Sequence, residues 1–296
     1  LGNIQAGKSS LSISSTQTRI CLGSWRVDNS VQNVAGCQSS SFFVDTTTLD
    51  RISFTSELAF LSAAAIFVGD VNRSSGGSLR FESDDLIEFN SDKVVLPQGL
   101  SARAAGGVSF LVSVVTAGDL VVDADKNDDG VGELLVEALL VSGGAVNLTA
   151  ASFSVDPPAA FTARNVIITP KAYATTAVRI GGGGGGALNF SSNFLERVTC
   201  SGNLTIGGET LAGEMFVENV TLTRVGCLEL KVLQPGGGGV LHVSGPLSLS
   251  ACLLLSAGEL IRCDRSLLLF LSQADASLVS KSLQLSGTWS APDSRV

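Results

Sequence analysis

Apolar residues in this chain come in short stretches, mostly with a period of two, each cut off by glycine, serine, asparagine or proline. Val146-Asn147-Leu148, Phe153-Ser154-Val155, Val166-Ile167-Ile168, Leu241-His242-Val243 and Leu247-Ser248-Leu249 are examples. Alternation puts every second side chain on one face of an extended strand, and the punctuating residues supply turns. Long runs with the 3.6-residue period of a helix are missing. Helical turns are expected only around Asp45–Thr48 and Ser191–Asn193, where capping residues precede Leu49 and Leu195. The chain reads as all-β.

Internal resemblance narrows the architecture. Leu49-Asp50-Arg51-Ile52 resembles Leu195-Glu196-Arg197-Val198, and Ile66-Phe67-Val68-Gly69 resembles Leu204-Thr205-Ile206-Gly207. Thr116-Ala117-Gly118-Asp119-Leu120-Val121 resembles Ser256-Ala257-Gly258-Glu259-Leu260-Ile261, and Thr18-Arg19-Ile20 resembles Val178-Arg179-Ile180. The copies lie about 150 residues apart, several times the length of one solenoid repeat, so each must hold several coils. Charged residues make up only 16%, against about 25% in ordinary soluble domains, as expected when coils stack on coils. These features predict a parallel β-solenoid, with tandem β-sandwiches as the alternative. Residues 1–186 form a first repeat unit with its N-terminal part, and residues 187–296 a partial second unit in a continuous solenoid.

Several phrases carry a family resemblance. Val115-Thr-Ala-Gly-Asp-Leu-Val-Val-Asp-Ala-Asp-Lys-Asn-Asp-Asp-Gly130, Val146-Asn-Leu-Thr-Ala150, Ala187-Leu-Asn-Phe-Ser191 and Asn203-Leu-Thr-Ile-Gly-Gly208 resemble the filamentous-haemagglutinin-like β-helical surface adhesins. The resemblance covers residues 110–222 and implies coils of a right-handed β-helix with a structural or adhesive role, without catalysis. Two features depart from that family: six cysteines, and five Asn-x-Ser/Thr sequons at Asn72, Asn147, Asn189, Asn203 and Asn219. Both suit a eukaryotic secretory route. They predict an extracellular or cell-surface filament module whose partners are copies of itself, other filament subunits or surface glycans.

Composition excludes other classes. A net charge of -8 does not suit a nucleic-acid binder. No apolar run approaches the roughly 20 residues of a membrane span, so membrane insertion is not expected. The chain opens Leu1-Gly2-Asn3, without an initiator methionine or signal region, and reads as a mature chain or a segment of a longer one. A carbohydrate-binding or carbohydrate-cleaving β-helix is the alternative function. Its chemistry would need paired carboxylates, and the adjacent pairs Asp84-Asp85 and Asp128-Asp129 read as polar turns.

The sharpest motif is Asp125-Lys126-Asn127-Asp128-Asp129-Gly130, the first half of a calcium loop with oxygen ligands at alternate positions. Asp125, Asn127 and Asp129, the Val131 carbonyl and Glu133 form the expected calcium set, with Glu137 or Asp123 as alternatives to Glu133. A polar hairpin is the competing reading. The run Gly181–Gly186 formally contains G-x-G-x-x-G, but no long helix follows, so it reads as a loop; Gly236–Gly239 reads likewise. His242, the single histidine, is expected on the polar face of a strand. Six cysteines allow fifteen pairings. Cys21–Cys37, Cys200–Cys227 and Cys252–Cys263 are expected, because each closes a short loop. Stacking of Cys200, Cys227 and Cys252 in register is also open, because they are spaced by about one coil.

Overall fold

A computed structural model describes residues 4–5, 11–16, 19–22, 42–44, 49, 51–90, 93–171, 177–182, 188–209, 211, 213–233, 238–249, 252–263, 269–271 and 276–285. Among them the fold is a parallel β-solenoid of stacked coils. The chain packs as two compact units, residues 1–150 with 154–159, and residues 151–153 with 160–296. The boundary expected after Gly186 falls outside the described residues.

The regular coils described in the first unit have three short strands on three faces. One coil runs Ser78–Ser83, Leu86–Phe89, Lys93–Leu96, and the next runs Leu100–Ala104, Gly107–Phe110, Ser113–Thr116. Each strand pairs in parallel with its counterpart one coil away. Register places Leu58, Leu79, Leu100, Leu120 and Val146 in one inward column, all almost fully buried. Fully burying one such side chain contributes about 1.5–3 kcal/mol.

Aromatic rings fill the wider part of this interior. Phe60 stacks on Phe81 at 5.5 Å, Phe81 meets Phe89 edge-on at 5.9 Å, and Phe89 stacks on Phe110 at 4.7 Å. Phe81 is in register with Ala102 one coil further on, so the column of rings crosses from one face to another where a small residue leaves room. Buried Arg73 follows the strand Val71–Asn72. It donates to the carbonyls of Leu49 at 2.7 Å, Ile52 at 3.0 Å and Ser75 at 3.3 Å, and its guanidinium lies 4.7 Å from the Phe54 ring.

In the second unit, the strands Asn165–Pro170, Val198–Gly208, Val225–Val232, Cys252–Ala257 and Ala276–Val279 share one face. A second face holds Val178–Gly181, Glu214–Val217, Val240–Val243, Leu260–Cys263 and Ser282–Leu285. The expected helical turn is Ser192–Leu195. Ser191 caps it, its hydroxyl accepting from Phe194 N. The expected turn at residues 45–48 lies outside the described residues.

Leu49 and Leu195 are both fully buried where a helical residue leads toward a strand. Two of the other long-range resemblances do not mark equivalent positions; the one at Thr18 lies partly outside the described residues. A whole strand, Glu57–Ser62, separates Leu49 from Ile66, whereas Leu204 lies in the strand that begins three residues after Leu195. Thr116 is buried and Val121 exposed, but Ser256 is half-buried and Ile261 fully buried, so the inward phase is reversed. The structural repeat is the coil, and coil corners share wording because each joins two strands by a tight turn.

The cysteine pairing differs from expectation. Cys227 bonds to Cys252, its in-register neighbour one coil away, across a sequence separation of 25. The register shifts between Cys200 and Asn203, so Cys200 stands opposite Val225 rather than Cys227. The bulge removes Cys200 from the stack and leaves it as a buried thiol outside any disulfide. Cys263 points into the core, in register with Val243 and Leu285, on a different face from Cys252. The pairs Cys200–Cys227 and Cys252–Cys263 are therefore replaced by Cys227–Cys252. Cys21 is disulfide-bonded; Cys37, its expected partner, lies outside the described residues.

Candidate functional site

The outer side of the first face of the second unit carries a groove of about 400 Å³. Three strands, Asn165–Pro170, Val198–Gly208 and Val225–Val232, lay their outward residues side by side. Asn165 lies beside Asn203; Ile167, Thr205 and Glu229 form one row across the strands; Gly207 and Lys231 continue the next. Asn165 Oδ1 accepts from the backbone N–H of Asn203 at 2.9 Å, which fixes this edge of the groove beside the bulge.

A short polar chain occupies the centre. The Thr205 hydroxyl donates to Glu229 Oε2 at 2.8 Å, and Lys231 Nζ lies 2.8 Å from Glu229 Oε1. The Glu229 side chain is 16% exposed and that of Lys231 34%. Burial alone would raise the Glu229 carboxyl. Hydrogen bonds from Lys231 and Thr205, with the Lys231 charge, outweigh burial and hold it below the ordinary carboxylate range. Beneath the groove, burial pushes the Cys200 thiol up against the opposing backbone hydrogen bonds of Gly226 and Val166, so it is a poor nucleophile.

The residues expected to hold calcium lie in the first unit. Asp125 is fully buried, and its two carboxylate oxygens accept the backbone N–H groups of Asp129 and Gly130, each at 3.2 Å. Exposed Asn127 donates to Asp129 Oδ2 at 2.7 Å, and Val131 N donates to Asp129 Oδ1 at 3.0 Å. Glu133 is exposed at the start of its strand, opposite Gly107. The loop is thus closed by its own backbone donors. Among the described residues, no group of three or more His, Cys, Asp or Glu gathers to hold a metal.

The remaining sequence candidates are scattered. Asp84 pairs with Lys126 at 2.7 Å, and Lys126 also reaches Glu82 at 3.4 Å, beside a smaller groove of about 290 Å³ in the first unit. His242 stacks on Phe216 at 4.7 Å; its buried Nε2 lies 3.5 Å from Glu214 Oε1, within ion-pair reach but without hydrogen-bond geometry. Asn72, Asn189 and Asn219 are exposed, whereas Asn147 and Asn203 are half-buried. Most of the glycine run, residues 183–186, lies outside the described residues, as do 236–237 of the later run.

No family model, curated protein or solved structure matches the chain. No helix among the described residues is long and apolar enough to cross a membrane. Sequence reasoning missed the groove, since its residues meet only when three coils stack. The available signal was the phrase Asn203-Leu-Thr-Ile-Gly-Gly208, which supplies its middle strand.

Proposed function

We propose that this chain is a structural and adhesive module of a secreted extracellular or cell-surface filament. The observation that carries this reading is the Cys227–Cys252 bridge, which ties one coil to the next on the outer face of a solenoid sealed by buried Leu, Val and Phe columns. Such a bond persists in oxidising surroundings. A covalent tie between coils suits a part that bears load outside the cell. The exposed sequons Asn72, Asn189 and Asn219 suit the same compartment.

We read the groove as a binding surface, and its most buried carboxylate does not fit the general-acid role of a glycan-cleaving site. A glycan-cleaving acid needs a carboxyl held protonated near neutral pH, and Glu229 is shifted the opposite way. Antibody labelling of intact, unpermeabilised source cells, with electron microscopy of the isolated assembly, tests the reading. Label along surface fibres is expected. Label confined to the interior of permeabilised cells would overturn it.

A further inference from the structure

We infer that the groove over Asn165–Pro170, Val198–Gly208 and Val225–Val232 is a binding site for a neutral oligosaccharide, engaged through a vicinal diol held by Glu229 and Lys231. The inference rests on the adhesive half of the proposed function and gives it a ligand class.

The two glycines on the floor make the first argument. Gly207 is required by the fold: its φ is +101°, and a Cβ there would lie 1.9 Å from the Lys231 carbonyl oxygen. Gly208 is less tightly held. It has no positive φ, and a Cβ would meet only the Thr169 methyl, at 3.3 Å, which would have to give by a few tenths of an ångström. Glycine inside a strand costs about 0.5–1 kcal/mol relative to alanine. Glycine in a strand often marks a bulge, a bend, or a place where a ligand or another backbone comes close, and this one ends its strand on an open groove. Here it keeps the floor bare between Thr169, Glu209 and Lys231.

The ion pair supplies the chemistry. An ionised carboxylate has about four acceptor positions and an ammonium three donors. Glu229 spends one position on Thr205 and one on Lys231, and Lys231 spends one donor on Glu229. Both keep spare capacity, at a separation of 2.8 Å, close to that of adjacent hydroxyls on a pyranose ring. One hydroxyl donates to Glu229 while its neighbour accepts from Lys231. Because Thr205 and Lys231 already orient the carboxylate, little side-chain freedom is lost on binding.

Charge selects among sugars. Glu229 and Glu209 carry two negative charges against the one positive charge of Lys231, so the groove repels uronates and sulfates. Its volume of about 400 Å³ lies in the range of small-ligand sites.

The test uses the full oxidised chain made without N-glycans, since Asn203 in the groove is itself a sequon asparagine. Calorimetric titration with cellohexaose, laminarihexaose and mannohexaose, each beside oligogalacturonate, reads the affinity. Saturable binding of at least one neutral probe is expected, with oligogalacturonate weaker. Glu229→Gln should weaken binding by about tenfold or more, as expected when a charge-assisted hydrogen bond is lost, and Gly208→Leu should abolish it. If Gly208→Leu fails to fold, Lys231→Ala takes its place. No binding of any neutral probe to the wild-type chain overturns the site, as does unchanged affinity in folded Glu229→Gln. Surface labelling would still succeed in either case, so failure of the groove is distinguishable from failure of the filament reading.

Discussion

Single side chains at the edges of the coils do more than decorate them. Arg73 satisfies the carbonyls of the helical residue Leu49, of Ile52 in a two-residue strand and of Ser75 in an exposed bend. Arg73→Ala would orphan buried acceptors costing about 1–3 kcal/mol each, so denaturant titration should show a fall of about 3 kcal/mol; Arg73→Lys recovers only part of it, because an ammonium lacks the planar fork. Asp125→Ala should cost about 1–3 kcal/mol for two unpaired N–H groups. The same variant tests calcium: if millimolar calcium raises the wild-type melting temperature and leaves Asp125→Ala unmoved, the loop binds the ion. An unmoved wild type leaves a loop closed by its own hydrogen bonds. Glu229 gives a pH test. Its folded pKa lies below its unfolded value near 4.3, so its contribution is present above that value and lost as pH falls through the folded pKa. Glu229→Gln should flatten the stability profile below about pH 4.3 and leave its shape at neutral pH unchanged.

At the scale of strands, the alternating pattern was legible because each outward face meets water and each inward face meets the core. The coil period was legible too, in Leu58, Leu79, Leu100 and Leu120, but it competes with corner phrases that look alike wherever two strands meet at a turn. Cys227 and Cys252 illustrate what spacing can give. Both lie one coil apart, and they bond. Cys200 sits at similar spacing and does not, because a bulge between Cys200 and Asn203 shifts the register, and nothing in Cys200-Ser201-Gly202-Asn203 fixes that shift in advance. Peptide mapping without reduction should recover a Cys227–Cys252 linked pair and an alkylatable Cys200 after unfolding. Cys227→Ser with Cys252→Ser should lower stability by about 3 kcal/mol in the chain-entropy model. The groove was not legible, because Asn165 and Asn203, separated by 38 residues, meet only through coil stacking.

For the molecule as a whole, the alternating pattern set the class and sparse charge narrowed it to stacked coils. Sparse charge, abundant glycine and apolar alternation all favour a stack in which each coil leans mainly on its neighbours. That dependence has a mechanical side. A pull on the end of such a stack peels coils one after another, and each freed residue lengthens the chain by about 3.3–3.6 Å. The Cys227–Cys252 bond takes its enclosed segment, a separation of 25, out of that lengthening. Under tension the oxidised chain should pay out about 80–90 Å less than the reduced one, a difference that single-molecule stretching with and without reductant can resolve. A covalent stop of this kind limits how far the coils can be drawn apart under load.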